Sequence, residues 1–486
     1  MLSDSNKIKL NREKVGFCRF KKLDDKYLLT NDVGYYYFLE PDKFKDFMEG
    51  KLKRESDIYQ ELKEKGFIKD DFNIDEMVKT CSSCNISSIG GPSLHIIVVT
   101  LRCNFKCIYC QASRRSIEEK QYDMDVKTAK RVVDTIFESP SNVITIEFQG
   151  GEPLVNWPVV KFIAEYAREK NKTEKKKLLI SLVSNFSLMT EEKYKFLTEK
   201  EVSLCTSLDG PEELQNRNRP LLNGNGYRLT TSWINKIKKD EQDKAKKGHT
   251  CYYLSALATI SRFSLKYPKE IIDEYVKWGF RGIHLRPLSF LGFSGGPAKE
   301  KIGYSPEEFM EFWREAMDYI IEINVRGKLF YERGVRIMLT KILTDRDPGF
   351  LDLRSPCGAA IGQLVYNHDG KVYTCDEGRM VKDDTFMLGD VNKDSYKKII
   401  SNPKVKTMVT ASILDNLSCD YCVYKPYCGV CPVLAYALYG NLFPQVINTD
   451  RCKVHKEMFD YVFRKLQNER TGKTFNQWVT LPRTKA

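Results

Sequence analysis

The sequence predicts an α/β chain: a partial (β/α)6 barrel between a small N-terminal unit and a Cys-rich C-terminal one. Three observations carry this. From residue 94 onward short apolar runs alternate with helical periodicity, as a parallel sheet with crossover helices requires. Ahead of them, short strand-like runs are followed by amphipathic helices in a block of their own. After about Cys357 the pattern becomes short, Cys-rich and turn-rich.

In chain order, runs at 17–20, 27–30 and 35–39 read as strands, with Asn31, Asp32 and Gly34 as turn residues. Pro41 opens a helix to about Met48 that Gly50 ends, and Ser56 caps a second helix over 57–65 that stops at Gly66. A polar stretch over 80–92 reads as a linker after an N-terminal domain of residues 1–79. The barrel, 93–330, takes strands at 94–101, 143–148, 178–184, 202–208, 253–260 and 282–287, with helices such as 126–137, 157–170 and 306–325. Chemistry is expected in the loops after the strand C-termini. Residues 331–486 form the Cys-rich domain, closed by a C-terminal helix.

The 486 residues, 42% hydrophobic and 29% charged, exclude a disordered or fibrous chain. The opening is polar and no run of eighteen apolar residues occurs, so neither signal peptide nor membrane span is expected, and the cytoplasm is the default location. In a reducing compartment fifteen cysteines, ten of them in tight spacings, read as metal ligands rather than disulfides. The net charge of +13 sits in mixed-sign stretches such as 236–247, which read as solvated helix faces rather than as a nucleic-acid surface.

Residues 100–110 read TLRCNFKCIYC, so Cys103, Cys107 and Cys110 leave the end of the first barrel strand in a CxxxCxxC loop. Three thiolates satisfy three irons of a cubane and leave the fourth for a ligand. Structural zinc prefers paired CxxC knuckles and four protein ligands. The triplet, with Tyr109 before its last cysteine, resembles the signature of the radical S-adenosylmethionine (SAM) superfamily. The resemblance implies a [4Fe-4S] cluster whose open iron chelates SAM, reductive cleavage to a 5′-deoxyadenosyl radical, and hydrogen abstraction from a substrate. It also implies that Tyr109 lies against the adenine.

Gly150, Gly151, Glu152 and Pro153 form GGEP at the end of the second strand. Glycines admit close backbone approach and a carboxylate accepts from an ammonium, and the segment resembles the one that binds the SAM amino group in that family. The third and fourth strands end in Ser184-Asn185 and in SLDG, from Ser207 to Gly210. In enzymes similar to the anaerobic sulfatase maturases these positions, with an arginine matching Arg219, contact SAM ribose and carboxylate. The chain departs from that pattern in having Gln215 and Asn216 where those relatives often carry a His-Asp pair. The other reading of Arg219 is a surface arginine paired with Glu212 or Glu213.

Cys357, Cys375, Cys419, Cys422, Cys428, Cys431 and Cys452 follow an order that resembles the SPASM domain of radical SAM peptide maturases. That resemblance implies two auxiliary [4Fe-4S] clusters, one on Cys419, Cys422, Cys428 and Cys452, the other on Cys357, Cys375 and Cys431. Two residues rather than three separate Cys428 from Cys431, and no cysteine shortly before Cys357 supplies a fourth ligand, so an open or non-cysteine position is expected there. Cys81 and Cys84 form a lone CxxC, read either as free thiols or as a source of that ligand. Cys18, Cys205 and Cys251 read as core residues.

Residues 15–77 look like the winged-helix leader-binding (RRE-like) modules of peptide maturases, which add an extended leader to a sheet edge. A cap over the barrel end gives the same pattern. The stretches FCRFKKLDDKYLLTNDVGYYYFL and LHIIVVTLRCNFKCIYCQASR resemble the B-type maturases of His-Xaa-Ser peptide-modification systems. Together these resemblances imply an oxidative maturase of a ribosomally synthesised precursor peptide. Its partners would be an electron donor such as flavodoxin or ferredoxin and a second radical SAM maturase, without membrane or nucleic acid. A sulfatase-maturase-like formylglycine-forming enzyme and a zinc-ribbon nucleic-acid-binding protein are the alternatives.

Overall fold

A computed structural model describes residues 8–70, 73–85, 90–248, 253–292, 297–381, 383–443 and 445–481. Cys251 and residues 86–89 of the expected linker lie outside these, as do the side chains of Cys81 and Cys84.

The N-terminal unit is a three-stranded antiparallel sheet, β1 (Arg19–Leu23), β2 (Lys26–Thr30) and β3 (Tyr36–Leu39), in that order. Strand β1 starts later than the apolar run at 17–20; Phe17 stands outside it, exposed and under the Arg19 guanidinium, 4.8 Å from its ring centroid. The helices Pro41–Met48 and Asp57–Glu64 form where expected. Ser56 Oγ caps the second by accepting from the Tyr59 amide at 3.3 Å, and Gly50 and Gly66 end the two helices at φ of +68° and +74°. A third helix, Ile74–Asn85, runs into the stretch read as a linker, so Cys81 and Cys84 stand on its last turns. Its apolar residues Ile74 and Val78 are exposed, which is why no buried stripe announces it.

The unit rests on the C-terminal domain. Thr30 Oγ1 donates to the Val423 carbonyl at 2.7 Å and Tyr427 OH to the Gly34 carbonyl at 2.8 Å. Lys21 Nζ pairs with Asp460 at 2.6 Å, and Tyr36 and Phe38 pack edge-on against Phe463.

The barrel sheet begins with β4 (Leu94–Thr100), β5 (Val143–Gly150), β6 (Lys177–Ser184), β7 (Val202–Ser207) and β8 (Ser255–Ile260), all parallel neighbours. The expected strand at 282–287 is broken in two. β9 (Gly282–Ile283) pairs with β11 (Tyr331–Glu332), and β10 (Leu285–Pro287) pairs with β8 as the sixth barrel strand. At the break buried Glu332 accepts from the Leu285 amide at 3.0 Å, holding the chain toward β11 between the two pieces.

Alternate residues of β5 divide the two faces. Ile144, Ile146 and Phe148 are fully buried against the outer helices, while Thr145, Glu147 and Gln149 are half-buried on the opposite face. β5 therefore gives polar side chains to the inner face of this open barrel, where a closed eight-stranded one is filled by apolar layers.

The C-terminal domain adds β12 (Gln363–Tyr366), β13 (Lys371–Tyr373) and β14 (Met387–Asp390) to this same sheet, whose order is β10-β8-β7-β6-β5-β4-β12-β13-β14. β12 runs parallel to β4, and Leu364, Val365 and Tyr366 are fully buried. The Cys-rich domain thus closes the free edge of β4 and shares the main core, so part of its fold rests on apolar burial as well as on metal.

His95 stitches the two together. Its Nδ1 lies 3.2 Å from Tyr366 OH and its Nε2 3.1 Å from the Pro92 carbonyl, one acceptor and one donor, which suits the neutral ring. Burial lowers its pKa from 6.5 to about 3. The folded state refuses a proton that the unfolded chain accepts, so this contribution to stability is present above pH 6.5 and is lost as pH falls toward 3. By pH 5.5 the loss is about 1.4 kcal/mol. His95→Gln should flatten the dependence of Tm on pH between 7.5 and 5.5, as followed by circular dichroism.

Candidate active site and metal centres

The three-thiol loop is held at both ends. At its start Asp123 accepts from Thr100 Oγ1 at 2.6 Å and from Arg102 Nε at 2.8 Å, and Arg102 Nη2 binds the other carboxylate oxygen. The Cys103 amide donates to the Arg115 carbonyl at 3.2 Å. At its far side the amides of Lys106 and Ile108 donate to the carbonyls of Pro220 at 2.8 Å and Asn218 at 3.0 Å. Cys103 is buried, and Cys107 and Cys110 are half-buried. Burial pushes the Cys107 thiol up to about 12 and Cys103 higher still, so without a metal they remain neutral thiols. Three enclosed thiols on one loop suit iron, which binds the deprotonated sulfur.

GGEP fits against this loop. The Gly151 and Glu152 amides donate to the carbonyls of Thr100 at 2.9 Å and Arg102 at 2.8 Å. A Cβ on Gly150 would lie 2.1 Å from the Thr100 carbonyl oxygen, and one on Gly151 2.3 Å from that of Arg102. The glycines therefore serve first the close approach of two protein backbones. Pro153 starts the short helix Pro153–Asn156. Glu152 is fully buried and accepts from Ser184 Oγ at 2.8 Å, from the Asn185 amide at 2.8 Å and from the Leu154 amide at 3.0 Å. Desolvation raises its pKa and these donors oppose the rise. Glu152, Ser184 and Asn185 form one group at the ends of β5 and β6, with Asn185 Nδ2 4.0 Å from Cys103 Sγ.

Asp209 is the residue that sequence reasoning missed. It is fully buried and binds Arg219 through Nε and Nη2, both at 3.1 Å. It also accepts from Asn218 Nδ2 and the Thr259 amide, each at 3.1 Å, and from Tyr109 OH. Arg219 lies 5.2 Å from the Tyr109 ring centroid. The surface reading of Arg219 falls, since Glu212 is taken by Arg228 at 3.1 Å. Ser207 stands half-buried at the end of β7. Gln215, one of the two departures from the maturase pattern, braces this turn by accepting from the Asp209 amide at 2.7 Å and donating to the Ser207 carbonyl at 3.2 Å. Asn216 accepts from the Tyr227 amide at 3.0 Å. The signal was present in SLDG, but the partners of its aspartate are long-range.

On the inner face Glu147 accepts from Gln149 Nε2 at 2.6 Å and Ser181 Oγ at 3.3 Å, and burial raises its pKa. Cys205, expected in the core, is half-buried on the alternate face of β7 from buried Leu204.

The C-terminal cysteines separate into two groups. Cys357, Cys375 and Cys431 pack together, as do Cys419, Cys428 and Cys452, with Cys422 close enough to raise the thiol pKa of each of these last three. A cavity of about 380 Å3 is lined by Cys419, Cys422, Cys428, Cys431 and Cys452 together with Glu377. Buried Arg451 Nε has no hydrogen-bond partner among the described residues, while its Nη2 holds Asp352 at 3.2 Å. Its charge acts on Cys428 of one group and Cys431 of the other. An unpaired buried donor between two thiol groups suits the sulfur of bound clusters. Arg379, on the helix Asp376–Met380, reaches the Ala112 carbonyl at 3.4 Å, so the Cys375 side of this domain abuts the loop of the first three thiols.

A barrel that ends in such a loop defines the class, and comparison with known proteins agrees: residues 97–250 match the radical SAM superfamily. Residues 357–432 match the SPASM iron-sulfur cluster-binding domain. Residues 97–250 thus form a radical SAM domain, a fold that binds SAM and a [4Fe-4S] cluster, and residues 357–432 a SPASM domain, which binds auxiliary iron-sulfur clusters. An uncharacterised protein of Methanocaldococcus jannaschii is 33% identical over 143 residues, 29% of this chain and 47% of that relative, so the match spans about half its length. A cysteine-type anaerobic sulfatase-maturating enzyme of Clostridium perfringens is 26% identical over 78% of this chain and 98% of its own. Among solved structures, native anSMEcpe with bound AdoMet aligns at a TM-score of 0.64 and 21% identity, over 79% of this chain and all of that one. Streptococcus suis SuiB bound to precursor peptide SuiA aligns at 0.52 and 16%, over 88% and 97%.

Two substitutions test the site. Asp209→Ala strands a buried guanidinium and should cost about 3 kcal/mol or more in urea unfolding, whereas Glu212→Ala, at an exposed pair, should cost under about 1 kcal/mol. Gly151→Ala should displace the thiol loop and lower bound iron by about four per chain. Gly90→Ala, whose Cβ would meet nothing within 4 Å, should leave the iron content unchanged.

Proposed function

We propose that this protein is a maturase of a ribosomally synthesised peptide. Cys103, Cys107 and Cys110 would hold the SAM-binding cluster. Tyr109 would lie against the adenine, Gly150, Gly151, Glu152, Pro153, Ser184 and Asn185 would shape the amino-group end, and Ser207 and Arg219 the ribose and carboxylate end. When bound, these cofactors supply a 5′-deoxyadenosyl radical that takes one hydrogen from the peptide and an auxiliary cluster that takes the next electron, leaving an oxidised side chain or backbone.

The observation that carries the reading is the adjacency of the two metal regions. Arg379, four residues past Cys375, touches Ala112, two residues past Cys110. A substrate held at the barrel mouth therefore lies between the site where hydrogen leaves and a site where an electron can go. On the inner face Glu147, Gln149 and Ser181 offer donors and acceptors to a peptide backbone. β1 and β3 are the two edges of the N-terminal sheet, and a leader peptide would add there as a strand. Solved relatives with this fold include one holding a precursor peptide, which supports the same substrate class.

By the resemblance to B-type His-Xaa-Ser maturases, a precursor with His-Xaa-Ser repeats is the first substrate to try, together with its cognate second maturase. The test is anaerobic turnover of reconstituted protein with reductant, SAM and that precursor, read by liquid chromatography and mass spectrometry. The expected products are 5′-deoxyadenosine and a peptide lighter by two hydrogens, both lost in Cys103→Ala. A leader-only peptide should inhibit competitively. Turnover of a sulfatase-derived Cys peptide to formylglycine, with the precursor untouched, would assign the chain to the formylglycine-forming alternative.

A further inference from the structure

Cys357, Cys375 and Cys431 lack a fourth thiol among the described side chains, because Cys419, Cys422, Cys428 and Cys452 assemble with one another. We propose that Glu377 supplies the fourth protein ligand of the auxiliary cluster on Cys357, Cys375 and Cys431, through a carboxylate oxygen. The proposal rests on the reading of these three cysteines as cluster ligands.

Glu377 stands two residues from Cys375 at the start of the helix Asp376–Met380, where the Gly378 amide donates to Cys375 Sγ at 3.3 Å. It lines the same cavity of about 380 Å3 as Cys431. Its charge raises the pKa of both the Cys375 and the Cys431 thiols, so the carboxylate lies near both. Its contact with Arg286 Nη2, at 3.5 Å, is a loose one that leaves oxygen lone pairs for a metal. Asp352, the other nearby acid, is committed to Arg451, whose Nη2 approaches its Oδ1 at 3.2 Å and its main-chain carbonyl at 3.0 Å.

A fourth protein ligand has a functional consequence. A fully ligated cluster has no iron free for a substrate group, so this centre would serve electron transfer and the peptide would be bound by protein alone. A cluster with an open iron would instead ligate the peptide directly.

The experiment uses the full chain with Cys103→Ala, Cys107→Ala and Cys110→Ala, which removes the open SAM-binding iron and should leave about eight irons per chain after anaerobic reconstitution. The reduced protein is mixed with 13C-labelled cyanide and examined by electron-nuclear double resonance. This background should show no 13C coupling. Adding Glu377→Ala should either produce a coupling from bound cyanide or lower the iron to about four per chain, and Glu377→Cys should restore both the iron and the absence of coupling. Cyanide binding to the background itself, unchanged by Glu377→Ala, would overturn the proposal in favour of an open position. A coupling that appears only in Cys81→Ser/Cys84→Ser would overturn it in favour of one of those thiols. Recovery of only about four irons in the background, with no further loss in Cys375→Ala, would instead remove the cluster reading beneath it.

Discussion

The buried ion pair between Asp209 and Arg219 is the constraint on which the barrel mouth depends. Two opposite charges out of water are tolerated only when every remaining lone pair and proton finds a partner. Asp209 meets that demand by drawing Asn218, the Thr259 amide and Tyr109 OH around it. Those groups come from the end of the helix Glu212–Asn218, from β8 and from the thiol loop itself, so one carboxylate fixes three separate segments. Arg219 is then presented beside Tyr109 with its orientation set.

The second anchor lies across the mouth at Glu152. Its two oxygens tie Ser184 and Asn185 of β6 to the GGEP turn of β5, and the glycines let that turn sit on the backbone from Thr100 to Arg102. Most polar groups at this mouth are already satisfied by protein. What they contribute is position: the thiols are held between Asp123 on one side and the carbonyls of Asn218 and Pro220 on the other. A preorganised loop of this kind does not have to be ordered by its ligand.

Much of this was legible because the chemistry is written in short spacings. CxxxCxxC, GGEP and the seven later cysteines each specify a local geometry, and their positions after strand ends follow from the alternation of strands and helices. What was not legible depends on contacts distant in sequence. The pairing of β12 with β4 joins segments more than two hundred residues apart, and apolar runs as short as Leu364 to Tyr366 carry no sign of which edge they complete. The break at His284 is held by a carboxylate at Glu332 that no pattern near residue 284 announces. The helix Ile74–Asn85 has an exposed face where a buried stripe would have marked it. Asp209 was visible in SLDG, but its role appears only once Tyr109, Asn218, Arg219 and Thr259 surround it.

Ten cysteines shared among three cubanes are the foundation of the proposed chemistry. Iron and acid-labile sulfide measured together on the anaerobically reconstituted full chain, with a Mössbauer spectrum of the same sample, test it most directly. The expected result is about twelve irons and as many sulfides per chain, all in cubane clusters. Stoichiometric zinc with little sulfide, or iron that saturates at about four per chain, would contradict it.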